Sequence, residues 1–228
     1  MLRSMNATCY IGRVLMVMVT LCLLSGGCAP LPQPAQTVSI APDLELGLTL
    51  PGDRWVVAES APDFLVADRA EHLEHDLVKQ GKSATSEQIA EMASKRLAGS
   101  EVFIFNPSTQ ARLEIDFSAL GPGEAFPSAG AVSRSARFAA ESLEGEEGIE
   151  EVDVRTGRTK VYGSEVAYRL DAGYRAHGED TRFVGVIGFA APYWFYFYYT
   201  DSLRDPLDRE EMEGILRSLT VTVRDGSK

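Results

Sequence analysis

Cysteine and histidine are scarce in this chain. Each occurs three times in 228 residues, as Cys9, Cys22, Cys28, His72, His75 and His177. Two of the cysteines fall in an N-terminal leader, so a processed chain keeps Cys28 alone. That excludes a disulfide framework and a cysteine-ligated metal site. A domain without disulfides must be held by its core. Gly-x-Ser-x-Gly, the P-loop, His-Glu-x-x-His and Gly-x-Gly-x-x-Gly are all absent. With so few thiols and imidazoles, nucleophilic catalysis has few parts available. Positive charge is also in short supply: 22 Lys and Arg stand against 33 Asp and Glu, a formal net charge of −11. Such a chain is a poor partner for nucleic acid or anionic surfaces as a whole.

Nor is there a membrane-spanning run. The uncharged stretch Val14–Leu24 lies behind Arg3 and Arg13. It is well short of the roughly 20 residues a transmembrane helix needs. Its place and length fit the h-region of a signal peptide. Leu23-Leu24-Ser25-Gly26-Gly27-Cys28 follows. The stretch resembles the lipobox of bacterial lipoproteins. Gly26, Gly27 and Cys28 match; Ser25 stands where leucine is usual, and Leu24 comes one place early. The resemblance implies cleavage after residue 27, lipidation of Cys28 and attachment to a membrane through that lipid. Ala29 rather than aspartate after the cysteine favours the outer membrane, facing the periplasm. The competing reading is cleavage by the general signal peptidase and release of a soluble protein. Pro30, just past the cleavage point, disfavours it.

Pro30, Pro32, Pro34 and Pro42 in an uncharged stretch predict a semi-rigid tether over 28–43. A single α+β domain is expected over 44–228. Leu44, Leu46, Leu48 and Leu50 alternate with smaller or polar residues, the period of a half-buried strand. The Pro51-Gly52-Asp53 turn then predicts a hairpin with Trp55–Ala58. Helices are expected over 68–80, with Ala70, Leu73 and Leu77 inward, and over 86–98. The second has Thr85 and Gln88 as a capping box and Ile89, Met92, Ala93 and Leu97 inward. Strands at 101–105 and 111–117 precede a helix over 128–143. Glu150–Val154 and Thr159–Tyr162 read as strands around a turn at Thr156-Gly157. Val166, Tyr168, Leu170, Ala172 and Tyr174 share one face of the next strand. Arg182–Ala190 and Tyr193–Thr200 are apolar on both faces, which makes them central. Asp205 caps a last helix with Pro206 at its first position, and Leu207, Met212, Ile215 and Leu219 line its inner side.

The Leu48-Thr49-Leu50-Pro51-Gly52-x-x-Trp55 opening comes first. A long antiparallel meander ending in an aromatic strand follows, and a helix runs into Leu219-Thr220-Val221. This order resembles the PsbP-like domains over about residues 44–223. The resemblance implies a mostly antiparallel sheet flanked by helices on both faces, an α/β/α sandwich, with the helical pair at 68–98 as an insertion. It also implies a binding or assembly role, without a common catalytic centre.

Three places invite a site. His72 and His75 share one side of a helix, a possible metal clamp. That side lies opposite Ala70, Leu73 and Leu77 and carries Lys79, so a solvated face is the better reading; His177 reads as a loop residue. The acids Glu141, Glu144, Glu146, Glu147, Glu150, Glu151 and Asp153 lack the ordered alternation of a calcium loop. Tyr193–Tyr199 sends Phe195 and Phe197 to one face and Trp194, Tyr196 and Tyr198 to the other. The second face is either a core layer beneath a helix or the wall of a ligand groove, and the core reading is favoured. We therefore expect no cofactor, no metal and no nucleic-acid partner. The leading function is a non-enzymatic envelope lipoprotein that binds another envelope protein. The alternative is a small-molecule or glycan binder using Trp194, Tyr196 and Tyr198. A carboxylate-dependent hydrolase stands last.

Overall fold

The structure, a computed structural model, describes residues 35–144, 148–176 and 178–224. The leader, Cys28, the first part of the tether, Glu146, Glu147 and His177 lie outside the described residues, as does the side chain of Glu144. Ten strands and four helices follow in order: β1 Gln36–Ala41, β2 Leu44–Leu48, β3 Val56–Ala58, α1 Asp63–Lys79, α2 Ser86–Leu97, β4 Val102–Phe105, β5 Arg112–Ala119, α3 Ala129–Glu144, β6 Ile149–Thr159, β7 Val166–Ala176, β8 Glu179–Ala190, β9 Tyr193–Asp201, α4 Pro206–Ser218 and β10 Thr220–Val223. The class is α+β. Among the described residues no helix is long and apolar enough to cross a membrane.

A seven-stranded sheet runs in the order β3-β4-β5-β9-β8-β7-β6, antiparallel throughout. The two strands read as central from their apolar faces, β8 and β9, do lie inside it. A second sheet, β1-β2-β10, has three strands. Successive side chains of a strand alternate faces, so the ladder sorts the core. On one face Ile104, Leu113, Ile115, Val184, Val186, Phe195 and Phe197 meet Leu44, Leu46 and Leu48 of β2 and Met212 and Ile215 of α4. On the other, Val132 and Ala136 of α3 pack on Val166, Ile187 and Phe189. Leu65 of α1 and Leu97 of α2 pack on Phe103 of β4 on that same face. Helices therefore flank the large sheet on both sides, the α/β/α arrangement expected.

Several local expectations hold. The Thr85–Gln88 capping box forms, with both reciprocal hydrogen bonds. Asp205 accepts a hydrogen bond from the Leu207 amide at 2.9 Å, and Pro206 opens α4. Others are corrected. Residues 36–41, expected in the tether, form β1, whose ladder to β2 satisfies backbone groups on an edge. The 44–50 and 55–58 strands are not a hairpin. β2 pairs with β1 and β10, while β3 pairs with β4 in the other sheet. Thr156-Gly157 is not a turn but the middle of an 11-residue strand, β6, because the long β7 offers partners along its whole length. α1 begins at Asp63 rather than 68. Met92 and Leu207 face outward; the inner position at the start of α4 is taken by Asp208, fully buried.

Candidate functional site

β9 is the middle strand of the large sheet, and its two faces differ. Phe195 and Phe197 are both fully buried, stacked at 4.7 Å between ring centroids. Phe117, their neighbour on β5, packs near both. Phenylalanine carries no polar atom, so nothing opposes this burial. Tyr199 shares the face and is buried as well; its hydroxyl donates to Asp201 Oδ2 at 2.9 Å. Burial first, and then the Asp201 carboxylate, hold its phenol well above the ordinary tyrosine range.

The opposite face carries Trp194, Tyr196 and Tyr198, all half-buried. Their rings form one row along the strand. Trp194 and Tyr196 stack at 6.3 Å with 10° between planes, and Tyr196 lies 6.2 Å from Tyr198. Tyr198 stacks on Phe183 of β8 at 5.7 Å, and Trp194 meets Phe189 edge-on at 6.0 Å. Phe126, 67% exposed, leans on Phe189 from the loop before α3. The row is partly covered through its packing against the cluster under α3. The expectation of a closed core layer is therefore too strong: all three rings keep partial exposure.

Across the ladder from the row stands a polar strip of β5. Ser118 faces Trp194, Asp116 faces Tyr196 and Glu114 faces Tyr198. Glu114 sits 3.4 Å from Arg112, which reaches Asp68 of α1 at 3.5 Å. Burial raises the Glu114 pKa, and Arg112 and Arg69 offset only part of it. Burial likewise raises Asp116, against a hydrogen bond from Ser100. Asp116 Oδ1 is closed to solvent and has no hydrogen-bond partner among the described residues. Burial, then Asp116, raises the Tyr196 phenol. Two carboxyls thus border the row, Glu114 engaged by arginine and Asp116 with one oxygen closed to solvent.

Elsewhere the candidates disperse. His72 and His75 are exposed on α1, and His72 lies 3.9 Å from Asp68. Among the described residues no three metal-ligating side chains come together. Of the acidic run, Glu151 pairs with Arg175 at 2.9 Å and Asp153 with Arg155 at 3.4 Å, on the exposed β6.

Two ionic clusters escaped the sequence reading. In the first, the Arg54 guanidinium reaches Asp205, Asp208 and Glu211 at 2.5–2.9 Å. Trp55 Nε1 donates to the same Glu211 oxygen, and Asn106 Nδ2 to Asp208 Oδ1. The acids occupy the first turns of α4, where the helix dipole favours negative charge. In the second, Arg169 of β7 makes paired hydrogen bonds to Asp171 and to Glu213 of α4, and Arg182 of β8 joins both acids. The bonds to Glu213 lower its pKa against burial. Beside this cluster a groove of about 270 Å³ is lined by Arg155, Thr156, Gly157, Arg158, Thr159, Arg169 and Asp171. Charges two apart on one strand, such as Arg169 and Asp171, signal a shared polar face; their α4 partner gives no local signal.

No family model matches the chain, and no curated protein matches it in sequence. Among solved structures it is similar to the cyanobacterial PsbP protein CyanoP from Synechocystis sp. PCC 6803. The TM-score is 0.46 at 12% identity, over 86% of this chain and 96% of that one. It is also similar to LpqN of Mycobacterium tuberculosis, described as involved in cell envelope biogenesis. There the TM-score is 0.47 at 14% identity, over 82% of this chain and 90% of that one.

Proposed function

We propose that the protein is a lipid-anchored, non-catalytic binding protein of the bacterial cell envelope, and that it engages another envelope protein through the Trp194-Tyr196-Tyr198 row. The anchor rests on the basic, apolar and small-residue order that ends at Cys28. The half-open aromatic row carries the binding reading. Tryptophan and tyrosine are enriched at protein interfaces because they bury much area at little entropic cost while keeping a polar tip.

The ring geometry disfavours a flat ligand sandwiched within the row. A planar group inserted between two rings needs contact on both sides, roughly 7 Å or more between centroids. Trp194 and Tyr196 stand 6.3 Å apart and nearly parallel, so the gap between them admits no planar group. What they leave accessible is an irregular apolar relief beside Ser118, Asp116 and Phe126. A carboxylate-dependent hydrolase is less well supported, since Glu114 is engaged by Arg112 and Asp116 Oδ1 is buried.

Site-specific photo-crosslinking in intact cells tests the reading. A crosslinker in place of Ser118, exposed at the end of the row, should yield one discrete protein adduct. Tyr198→Ala should abolish that adduct while the protein stays folded. The same crosslinker at exposed Lys160 should give none. Equal adducts from both positions, or none from Ser118, would refute the proposal.

A further inference from the structure

The large sheet is left open at one end. β6 is its last strand, 11 residues long, and among the described residues it pairs with β7 alone. The other edges are shorter or closed. β3 has three residues, β1 has six and a bulge, and Tyr162 bridges Thr220 of β10. An open edge presents a row of unpaired N–H and C=O groups, a template for another strand. We propose that β6 pairs antiparallel with β6 of a second copy of this chain, about a two-fold axis at Val154.

Charge and face select this occupant. In the ladder to β7, Asp153 and Arg155 stand opposite Gly173 and Asp171, on one face. Val152 and Val154 belong to the other, half-buried against Leu143 and Ala172. Charges on an edge ordinarily repel a second strand. Here two opposite charges lie two residues apart on one face, and both side chains are mostly exposed. A two-fold axis normal to the sheet keeps each face on its own side, and residues directly opposed in antiparallel strands share a face. With the axis at Val154, Asp153 of each copy lies opposite Arg155 of the other, giving two attractive pairs. An axis at Asp153 opposes the two Asp153 side chains, and one at Arg155 opposes the two arginines. An axis at Thr156 sets Arg155 against Gly157. On the other face the Val154 register places Val154 against its own copy and Val152 against Thr156, so both valines lose further exposure. The register shift between Glu150 and Asp153 ends the regular strand. The new ladder therefore runs from Val152 to Thr156, and Lys160 stands four residues, about 13 Å, past its end. So short a ladder makes a small contact, of the reversible kind.

Disulfide trapping and charge reversal test the register, on the full-length protein extracted in detergent. In Val154→Cys the two Cα atoms would lie about 4.5–5.5 Å apart, within reach of a disulfide. In Thr156→Cys, on the same face and more exposed, the two positions would stand four residues, about 13 Å, apart. Mild oxidation should give a disulfide-linked dimer from Val154→Cys and none from Thr156→Cys or the parent. Added to Val154→Cys, either Asp153→Arg or Arg155→Asp turns both attractive pairs into like-charge pairs and should lower the dimer yield at least tenfold. The two reversals together restore opposite signs and should restore the yield. Both side chains are exposed, so all these chains should melt with the parent. No dimer from Val154→Cys, equal dimer from Thr156→Cys, or a double reversal that fails to rescue would overturn the proposal.

Discussion

Gly188 of β8 and Phe195 of β9 face each other across the central ladder, and the Phe195 ring occupies the space a side chain at 188 would need. A Cβ there would lie 2.1 Å from Phe195 Cζ. Gly188→Ala must displace a fully buried ring. Overpacking of this kind costs about 1–3 kcal/mol or more. The control is Gly173→Ala on β7, where a Cβ would meet nothing within 4 Å; that change should be neutral or mildly stabilising. Urea unfolding of the two variants should separate them clearly, and similar midpoints would mean that the Phe195 ring is not where the structure has it.

The two faces of β9 should respond differently to truncation. Phe197 is fully buried, so Phe197→Ala should cost about 3–5 kcal/mol. That is a large part of a typical domain stability of about 5–15 kcal/mol. Tyr196 is half-buried, and Tyr196→Ala should cost about half as much. The domain would stay folded while the proposed interface was lost. Thermal melting together with the crosslinking assay reads both effects.

Asp208 is fully buried and holds Arg54 and Asn106 together. Asp208→Ala leaves the Asn106 amide without its partner and removes one of Arg54's three acids. We expect a loss of about 3 kcal/mol, the lower end for breaking a buried charge pair. Trp55→Phe, which removes the hydrogen bond to Glu211 and part of a buried ring, should cost about 2 kcal/mol. Denaturant midpoints at neutral pH test the order.

Two acids should give stability opposite dependences on pH. The Glu213 pKa is lowered by its hydrogen bonds to Arg169. Its contribution is present above the unfolded value of about 4.3 and is lost as pH falls through the depressed folded value. Glu213→Gln should therefore be less stable than the parent at pH 7, and the gap should close in acid. Burial raises Asp116, so the folded state binds its proton more tightly than the unfolded chain. Stability then falls as pH rises from the unfolded value of about 3.9 through the raised folded value. Asp116→Asn should be more stable than the parent at pH 7 and lose that advantage in acid. Unfolding curves across this window check both signs.

For the proposed anchor, Cys28→Ser should prevent labelling by a fatty-acid probe and leave a larger precursor. Membrane fractionation should place the parent protein in the outer membrane. Retained labelling in the variant would remove the anchor from the proposal, and recovery in the inner membrane alone would remove the location.

What the sequence determined by itself is what depends on neighbours along the chain. Period-two leucines at 44, 46 and 48, the Thr85–Gln88 box, the Asp205-Pro206 start and the two-sided apolar strands β8 and β9 all appear where local spacing puts them, because alternation and capping act within a few residues. The tertiary structure alone decided which strands meet. β2 reads as half of a hairpin, yet Arg54 and Trp55 tie the following turn to acids more than 150 residues away on α4, and the chain crosses to the other sheet. Thr156-Gly157 reads as a turn, yet β7 extends alongside and keeps it straight. The candidate site divides in the same way. The aromatic run shows in the sequence, and the burial of Phe195 and Phe197 follows from their chemistry. How far Trp194, Tyr196 and Tyr198 stay open depends on where α3 comes to rest. The open edge at β6 exists because that strand ends the sheet, a relation set by strand order and not by sequence distance.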